Sequence, residues 1–97
     1  MIESNEKYSW DPAKRETNIK TRELDFVEMA DYIFADPNVV VKHDDRIDYS
    51  EPRLLAYGLV DGTRLCLCWT PRGDKVHLIT IFKVNKKQWS ECYGKND

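Results

Sequence analysis

Long apolar stretches are missing from this chain. The longest uninterrupted ones run for only a few residues, so no segment is long enough to cross a membrane as a helix. The first eight residues are polar and acidic, without the apolar core that a secretory signal needs. Cysteine is scarce and odd in number, three in 97 residues, which cannot close a full disulfide framework and points to a reducing, cytoplasmic setting. Internal repeats, low-complexity tracts and linker-like segments are also absent. Residues 1–97 therefore read as a single domain, near the lower end of what folds without staples. What is present excludes disorder: 41% hydrophobic residues, with three Trp, five Tyr and three Phe to seed a core.

The net charge is only −2, but it is unevenly spread. Residues 1–51 hold 13 acidic and 7 basic side chains, a net of −6, and residues 64–97 hold 3 acidic and 7 basic, a net of +4. Such asymmetry suggests a basic working surface beside an acidic one.

Local signals divide the chain into elements. Tyr8-Ser9-Trp10 alternates aromatic and polar residues and fits a short edge strand. Asp11-Pro12 reads as a helix start, the carboxylate capping free amides and the proline occupying a position that needs no N–H. The resulting helix, residues 12–22, is polar and should be largely solvated. Asp25 opens a second helix with Glu28 at the capping-box position. Phe26, Val27, Ala30, Ile33 and Phe34 follow the helical period, and Asp36-Pro37 ends it. Strands are expected over 38–42, 53–60, 63–70 and 75–84. Asp61-Gly62 forms a two-residue hairpin turn, Pro71 to Asp74 a four-residue turn, and residues 43–50 a charged loop. Asn85 caps a last helix in which Trp89 and Tyr93 share a face.

With those turns, Thr70 lies opposite Lys75, and strand alternation sorts the side chains onto two faces. One is almost wholly apolar: Leu54, Ala56, Gly58, Val60, Leu65, Leu67, Trp69, Val76, Leu78, Thr80 and Phe82. It should pack against the helices. The other carries Arg53, Leu55, Tyr57, Leu59, Arg64, Cys66, Cys68, Thr70, Lys75, His77, Ile79, Ile81 and Lys83. An antiparallel sheet can leave one face wet. The charges on this face are all positive, which suits a phosphate-bearing partner. His77 and Lys83 stand six residues apart on one strand, roughly 20 Å, so they act on one atom only if a bulge or the C-terminal helix intervenes.

The assembled residues resemble the BrnT family of bacterial toxins, ribonucleases of type II toxin–antitoxin pairs. Four landmarks carry the resemblance: Trp10-Asp11-Pro12-Ala13-Lys14; Asn18 with Phe26 eight residues later; Phe34-Ala35-Asp36-Pro37; and Glu51-Pro52-Arg53, followed by Gly58 and the turn containing Arg72. They span about residue 8 to residue 93. The resemblance implies an α+β, RelE-like fold, with N-terminal helices and a C-terminal helix packed on one face of an antiparallel sheet. It implies metal-independent RNA cleavage with no cofactor. It also implies a ribbon-helix-helix antitoxin of the BrnA type that masks the toxin and represses their shared operon, so that DNA is met only through the antitoxin. Three departures stand out. Thr21-Arg22-Glu23 replaces the usual Lys-His-Gly, His77 replaces an arginine, and Phe82 replaces another. The last helix keeps Lys86 and Lys87 but is poorer in arginine than the family's. The missing arginine at position 82 supports a second reading, a catalytically weakened homologue acting mainly as antitoxin-binding partner and operon co-repressor.

Metal-free RNA cleavage needs a base for the 2′-OH, cations for the charged transition state and an acid for the leaving oxygen. Arg53 matches a family landmark, lies on the open face and has the fork that grips phosphate. Arg72 sits on a turn tip within reach of RNA. His77 is the strand residue that titrates near neutral pH. Lys83 matches a basic family position. These four are the catalytic candidates. Arg64, Lys75, Lys86 and Lys87 are candidates for RNA binding, and Tyr93 for stacking on a base. Each competes with a plainer role, a solvated surface cation or a packed aromatic. Cys66 and Cys68 lack a second Cys/His pair and read as core rather than a zinc site. His43 with Asp44 and Asp45 reads as a charged loop, and Arg72-Gly73-Asp74 as a turn. An antitoxin arm over the positive face should be acidic.

Overall fold

The computed structural model describes residues 1–45 and 50–93, without the side chain of Tyr93. The stacking expected of that side chain, and the 46–49 part of the charged loop, lie outside the described residues. The elements are β1 (Glu3–Ser4), β2 (Tyr8–Trp10), α1 (Pro12–Arg22), α2 (Phe26–Ala35), β3 (Val40–His43), β4 (Leu54–Val60), β5 (Thr63–Arg72), β6 (Lys75–Lys83) and α3 (Lys86–Tyr93). The six strands form one sheet in the order β1-β2-β6-β5-β4-β3, antiparallel except where β2 runs parallel to β6.

The helix starts are set as the side chains dictate. Asp11 accepts a hydrogen bond from the Ala13 amide at 2.9 Å, and Asp25 one from the Val27 amide at 3.0 Å. Asn85 does the same for the Gln88 amide at 2.8 Å. Arg15 grips the Asp25 carboxylate with both arms of its fork, at 2.9 and 2.8 Å, joining α1 to the start of α2. α1 ends at Glu23, held in the left-handed region at φ 58°. A glycine at this position would enter that region without strain.

α2 covers one face of the sheet. Phe26, Ala30 and Ile33 bury against Ala56, Leu65, Leu67, Leu78 and Ile81, with Tyr8 and Trp10 completing the cluster. Contact is close at Gly58: a Cβ there would lie 3.2 Å from the Ile33 carbonyl oxygen and 3.2 Å from its Cγ2, so α2 would have to give by a few tenths of an ångström.

The Asp61-Gly62 turn pairs Val60 with Thr63 as expected. The second turn does not follow expectation. β5 continues to Arg72, which pairs with Lys75, and Thr70 stands opposite His77 rather than Lys75. Gly73, at φ 59°, makes a two-residue turn possible, the type whose twist suits paired strands. A bulge then shifts the register, so Trp69 pairs with Leu78 but Cys68 with Thr80. The extra residue reverses the alternation beyond it. Thr80 and Phe82, expected on the helix-packed face, join Cys66 and Cys68 on the other, while Ile81 turns into the core and Lys83 shares its parity.

That second face is not wholly open. Leu55, Cys66, Cys68, Ile79 and Val84 form a second apolar cluster, packed by Tyr57, Phe82 and Trp89 of α3. The α+β class is as expected, but α3 lies across the sheet from α2 rather than beside it. The reason is in the strands: Leu55, Cys66, Cys68 and Ile79 are apolar on the face that alternation assigned to solvent, and they need a cover. β2 is also one strand in from the edge, because β1 pairs along its outer side.

Candidate functional site

β2 spans only three residues, so the second half of β6, paired with β5 on one side, lacks a strand neighbour on the other. α1 fills the gap with side chains. Asn18 donates to the Ile81 carbonyl at 3.2 Å, and Arg22 donates to the same carbonyl at 2.9 Å and to the Thr80 hydroxyl at 2.9 Å. The Thr80 hydroxyl in turn donates to Asn18 Oδ1 at 3.1 Å. α1 thereby stands as a wall beside the part of the second face that α3 leaves uncovered.

Two adjoining hollows lie in this angle. One, of about 210 Å³, is lined by Glu51, Arg53, Arg72, His77, Lys14 and Asp11, with Ile2, Leu78 and Ile79. The other, of about 480 Å³, is lined by Lys14, Thr17, Asn18, Thr21, Arg22, Arg53, Ile79 and Thr80. Lys14, Arg53 and Ile79 belong to both, so the two form one groove. Four cationic side chains border it, against the carboxylates of Asp11 and Glu51.

The register explains this gathering. The short second turn brings Arg72 close to His77 along the hairpin, and Thr70 of the adjacent strand stands opposite His77. The Thr70 hydroxyl donates to the Pro52 carbonyl, tying the chain before Arg53 to β5. The Asp44 amide donates to the Arg53 carbonyl at 2.8 Å, extending the β3–β4 ladder past Leu54. Arg72 binds Glu51 through Nη2 at 3.0 Å and Nε at 3.3 Å. That pair holds the Glu51 carboxyl below its ordinary value.

His77 is 6% exposed, and its Nδ1 lies 2.8 Å from the Ser9 hydroxyl of the parallel neighbour β2. Burial lowers its pKa first, and Arg72 and Lys14 lower it further against the opposing pull of Glu51 and Asp11. The ring is therefore neutral at pH 7 and able to accept a proton.

Of the four catalytic candidates, Arg53, Arg72 and His77 come together. Lys83 does not: the bulge places it on the parity of Leu65 and Ile81, exposed and outside the groove. Among the RNA-binding candidates, Lys75 pairs with Arg72 at the hairpin end near the groove. Arg64 is at the far end of the sheet, where its Nε donates to the Val84 carbonyl at 3.1 Å. Lys86 and Lys87 are exposed on α3. Lys14, Glu51 and Ser9 were not anticipated as site residues. Lys14 and Glu51 stand within the sequence landmarks that carry Trp10 and Arg53, and that proximity was the available signal. Ser9 had only its alternation with two aromatics.

A larger hollow of about 580 Å³ lies under α3, lined by Lys42, His43, Asp44, Asp45, Tyr57, Phe82, Glu91 and Cys92 among others. Its acidic side chains make it a poor seat for phosphate. Burial, and then the neighbouring Cys66 and Cys92, push the Tyr57 hydroxyl well above its ordinary value.

No curated protein matches this chain at a significant level. A family model described as the ribonuclease toxin BrnT of type II toxin–antitoxin systems matches residues 10–88, a span that includes α1, Arg53, Arg72, His77 and most of the sheet. The chain therefore belongs to the BrnT family of ribonuclease toxins.

Proposed function

We propose that the groove between α1 and the open part of the sheet is where RNA is cleaved, without a metal ion. The observation that carries this is the convergence of Arg53, Arg72 and His77 on one hollow. Metal-free cleavage by the 2′-OH needs positive charge at the phosphate and a group that moves protons. Arg53 and Arg72 provide the charge. To bind a phosphate, Arg72 exchanges the Glu51 carboxylate for phosphate oxygens, a like-for-like replacement of one anion by another. The neutral His77 ring takes the 2′-OH proton as the 2′ oxygen attacks phosphorus; the P–O5′ bond breaks, and the leaving 5′ oxygen takes a proton from water, giving a 2′,3′-cyclic phosphate and a 5′-hydroxyl. Lys14 and Lys75 hold the flanking backbone.

A type II toxin has an antitoxin. Here it is proposed to be a ribbon-helix-helix protein of the BrnA type, whose arm carries carboxylates into the groove and thereby neutralises the toxin. The test is expression from a tightly controlled promoter with and without the adjacent small open reading frame. Growth arrest relieved by the neighbour is the expected result; absence of both arrest and RNA cleavage by purified protein sinks the reading. Arg53→Ala should abolish arrest while leaving the far-UV circular dichroism unchanged. Persistent toxicity in that variant removes Arg53 from the site.

One observation favours the second reading, a weakened enzyme serving mainly as co-repressor. Phe82, standing where the family has arginine, packs with Leu55, Cys66, Cys68 and Val84, and Arg22 lies 6.0 Å over its ring. A cation of the family's set is thus replaced by an apolar contact. Phe82→Arg should raise cleavage if the site is degenerate, and leave it flat or lower if Arg53, Arg72 and His77 suffice.

A further inference from the structure

Three strands meet at His77. β5 places Thr70 opposite it, β6 carries it, and β2 runs parallel on the other side with Ser9 in register. The two aromatics flanking Ser9 point into the core on the α2 side, so alternation turns Ser9 toward the face that carries the groove. Ser9 and His77 are 9% and 6% exposed, and they meet at 2.8 Å through Oγ and Nδ1. A hydroxyl buried on a strand has little freedom, and its contact occupies one ring nitrogen. Nε2 is left for the groove that His77 lines with Arg53, Arg72, Glu51, Asp11 and Lys14.

We infer that Ser9 is a positioning residue: its hydroxyl fixes the orientation and tautomer of the His77 ring, so that Nε2 faces the RNA. A serine hydroxyl can accept from Nδ1–H or donate to a bare Nδ1, and the contact at 2.8 Å fits either; we assign the first. With Nδ1–H donating to Ser9 Oγ, Nε2 holds a lone pair and accepts the 2′-OH proton. Without Ser9 the ring partitions between tautomers, and part of the population presents an N–H where a base is needed. The inference rests on the reading of His77 as the proton carrier. It adds that the N-terminal strand, far from His77 in sequence, is part of the working site.

The charges around the ring come from every element packed on it. Arg53 and Glu51 approach from the segment before β4, Arg72 from β5, and Asp11 and Lys14 from the start of α1, while Lys75 stands two residues away on β6. Ser9→Ala changes none of them, so a change in pH behaviour reports the lost hydroxyl.

The test compares Ser9→Ala and Ser9→Thr with the unaltered chain. ¹⁵N NMR of the imidazole reads the tautomer directly; His43 is the only other histidine, and its replacement assigns the signals. The expected result is a single His77 tautomer in the unaltered protein and a mixture in Ser9→Ala. With purified RNA, kcat should fall about ten-fold in Ser9→Ala, with KM little changed and the acid limb of the pH profile displaced. Ser9→Thr, which keeps the hydroxyl, should restore both. A Ser9→Ala protein with the original tautomer and pH profile overturns the inference, and loss of activity in Arg53→Ala would then leave the proposed ribonuclease site standing. If neither Arg53→Ala nor His77→Gln alters cleavage, the site assignment itself fails and Ser9 falls with it.

Discussion

At the scale of single residues, backbone conformation singles out Glu23. Glu23 closes α1 with φ 58° and ψ 31°, a region that side chains with a Cβ enter at a steric penalty. Its amide still reaches the Ile19 carbonyl at 3.0 Å, so the turn is made despite the residue. Glycine has no such penalty, although it gives up more freedom on folding. Glu23→Gly should therefore stabilise the fold by about 0.5–1 kcal/mol, read as a higher urea midpoint with an unchanged slope. An unchanged or lower midpoint would mean that Glu23 contributes something its exposed side chain does not show. The same residue-by-residue view separates Arg53 from Lys83. Both are basic, but Arg53 stands just before β4 at the His77 end of the sheet, whereas Lys83 ends β6 at the far end, and the bulge also turns it to the other face.

At the scale of elements, the docking of α1 on β6 builds the groove's wall. It depends on few groups. Asn18 is 5% exposed and bonds the Ile81 carbonyl and the Thr80 hydroxyl at once. A strand edge without a strand neighbour needs such partners, because a buried carbonyl left unpaired is costly. Asn18→Ala should lower stability by about 1–3 kcal/mol, with the loss seen by chemical denaturation. Amide exchange should accelerate in α1 and in the second half of β6 while the β4–β5 ladder stays protected. Uniform acceleration through the sheet would show that α1 is not a separable wall. Arg22 supports the same edge, which gives it a structural task as well as a place beside the groove.

For the whole molecule, titration brackets the range of stability. On the acid side, burial would raise the Asp25 carboxyl. The bonds from Arg15, with the Val27 and Glu28 amides, more than reverse this and hold it below its ordinary value. Asp31 is held low by Tyr8 and Lys7, and Asp36 by the Leu59 and Asn38 amides. A depressed carboxyl stabilises the fold above its unfolded pKa and loses that contribution as pH falls, here below about pH 4. The more exposed carboxylates contribute little and Asp25 the most. His77 is also depressed, chiefly by burial, so its charging begins to destabilise the fold as pH drops below about 6.5. On the alkaline side, burial and then Asp31 raise the Tyr8 hydroxyl, and burial raises Tyr57. A raised phenol stabilises below its unfolded pKa and loses that contribution above about pH 10. Urea midpoints measured across pH should show a plateau near neutrality, a shoulder below about pH 6.5 and steep falls at both ends. His77→Gln should remove the shoulder. A midpoint that keeps rising as pH is lowered would contradict these assignments.

Much of this was legible in the order of residues. Caps at Asp11, Asp25 and Asn85, the break at Asp36-Pro37, the apolar stripe of α2 and the Asp61-Gly62 hairpin are local, set by groups within a few positions of one another, and all of them stand. The family landmarks are short patterns of the same kind, and they led to the ribonuclease toxin family. What sequence alone did not determine is non-local or turns on a single residue of register. The shorter second turn and the bulge at Trp69 redistributed Thr80, Phe82, Ile81 and Lys83 between the two faces. A strand's alternation has period two, so one extra residue inverts everything beyond it. The parallel pairing of β2 with β6 joined Ser9 to His77 across 68 positions, and no local propensity encodes such a contact. The side on which α3 lies was settled by competition for apolar surface on the second face. That coverage confined the open surface to the angle beside α1, and there the tertiary structure gathered Arg53, Arg72 and His77 into one site.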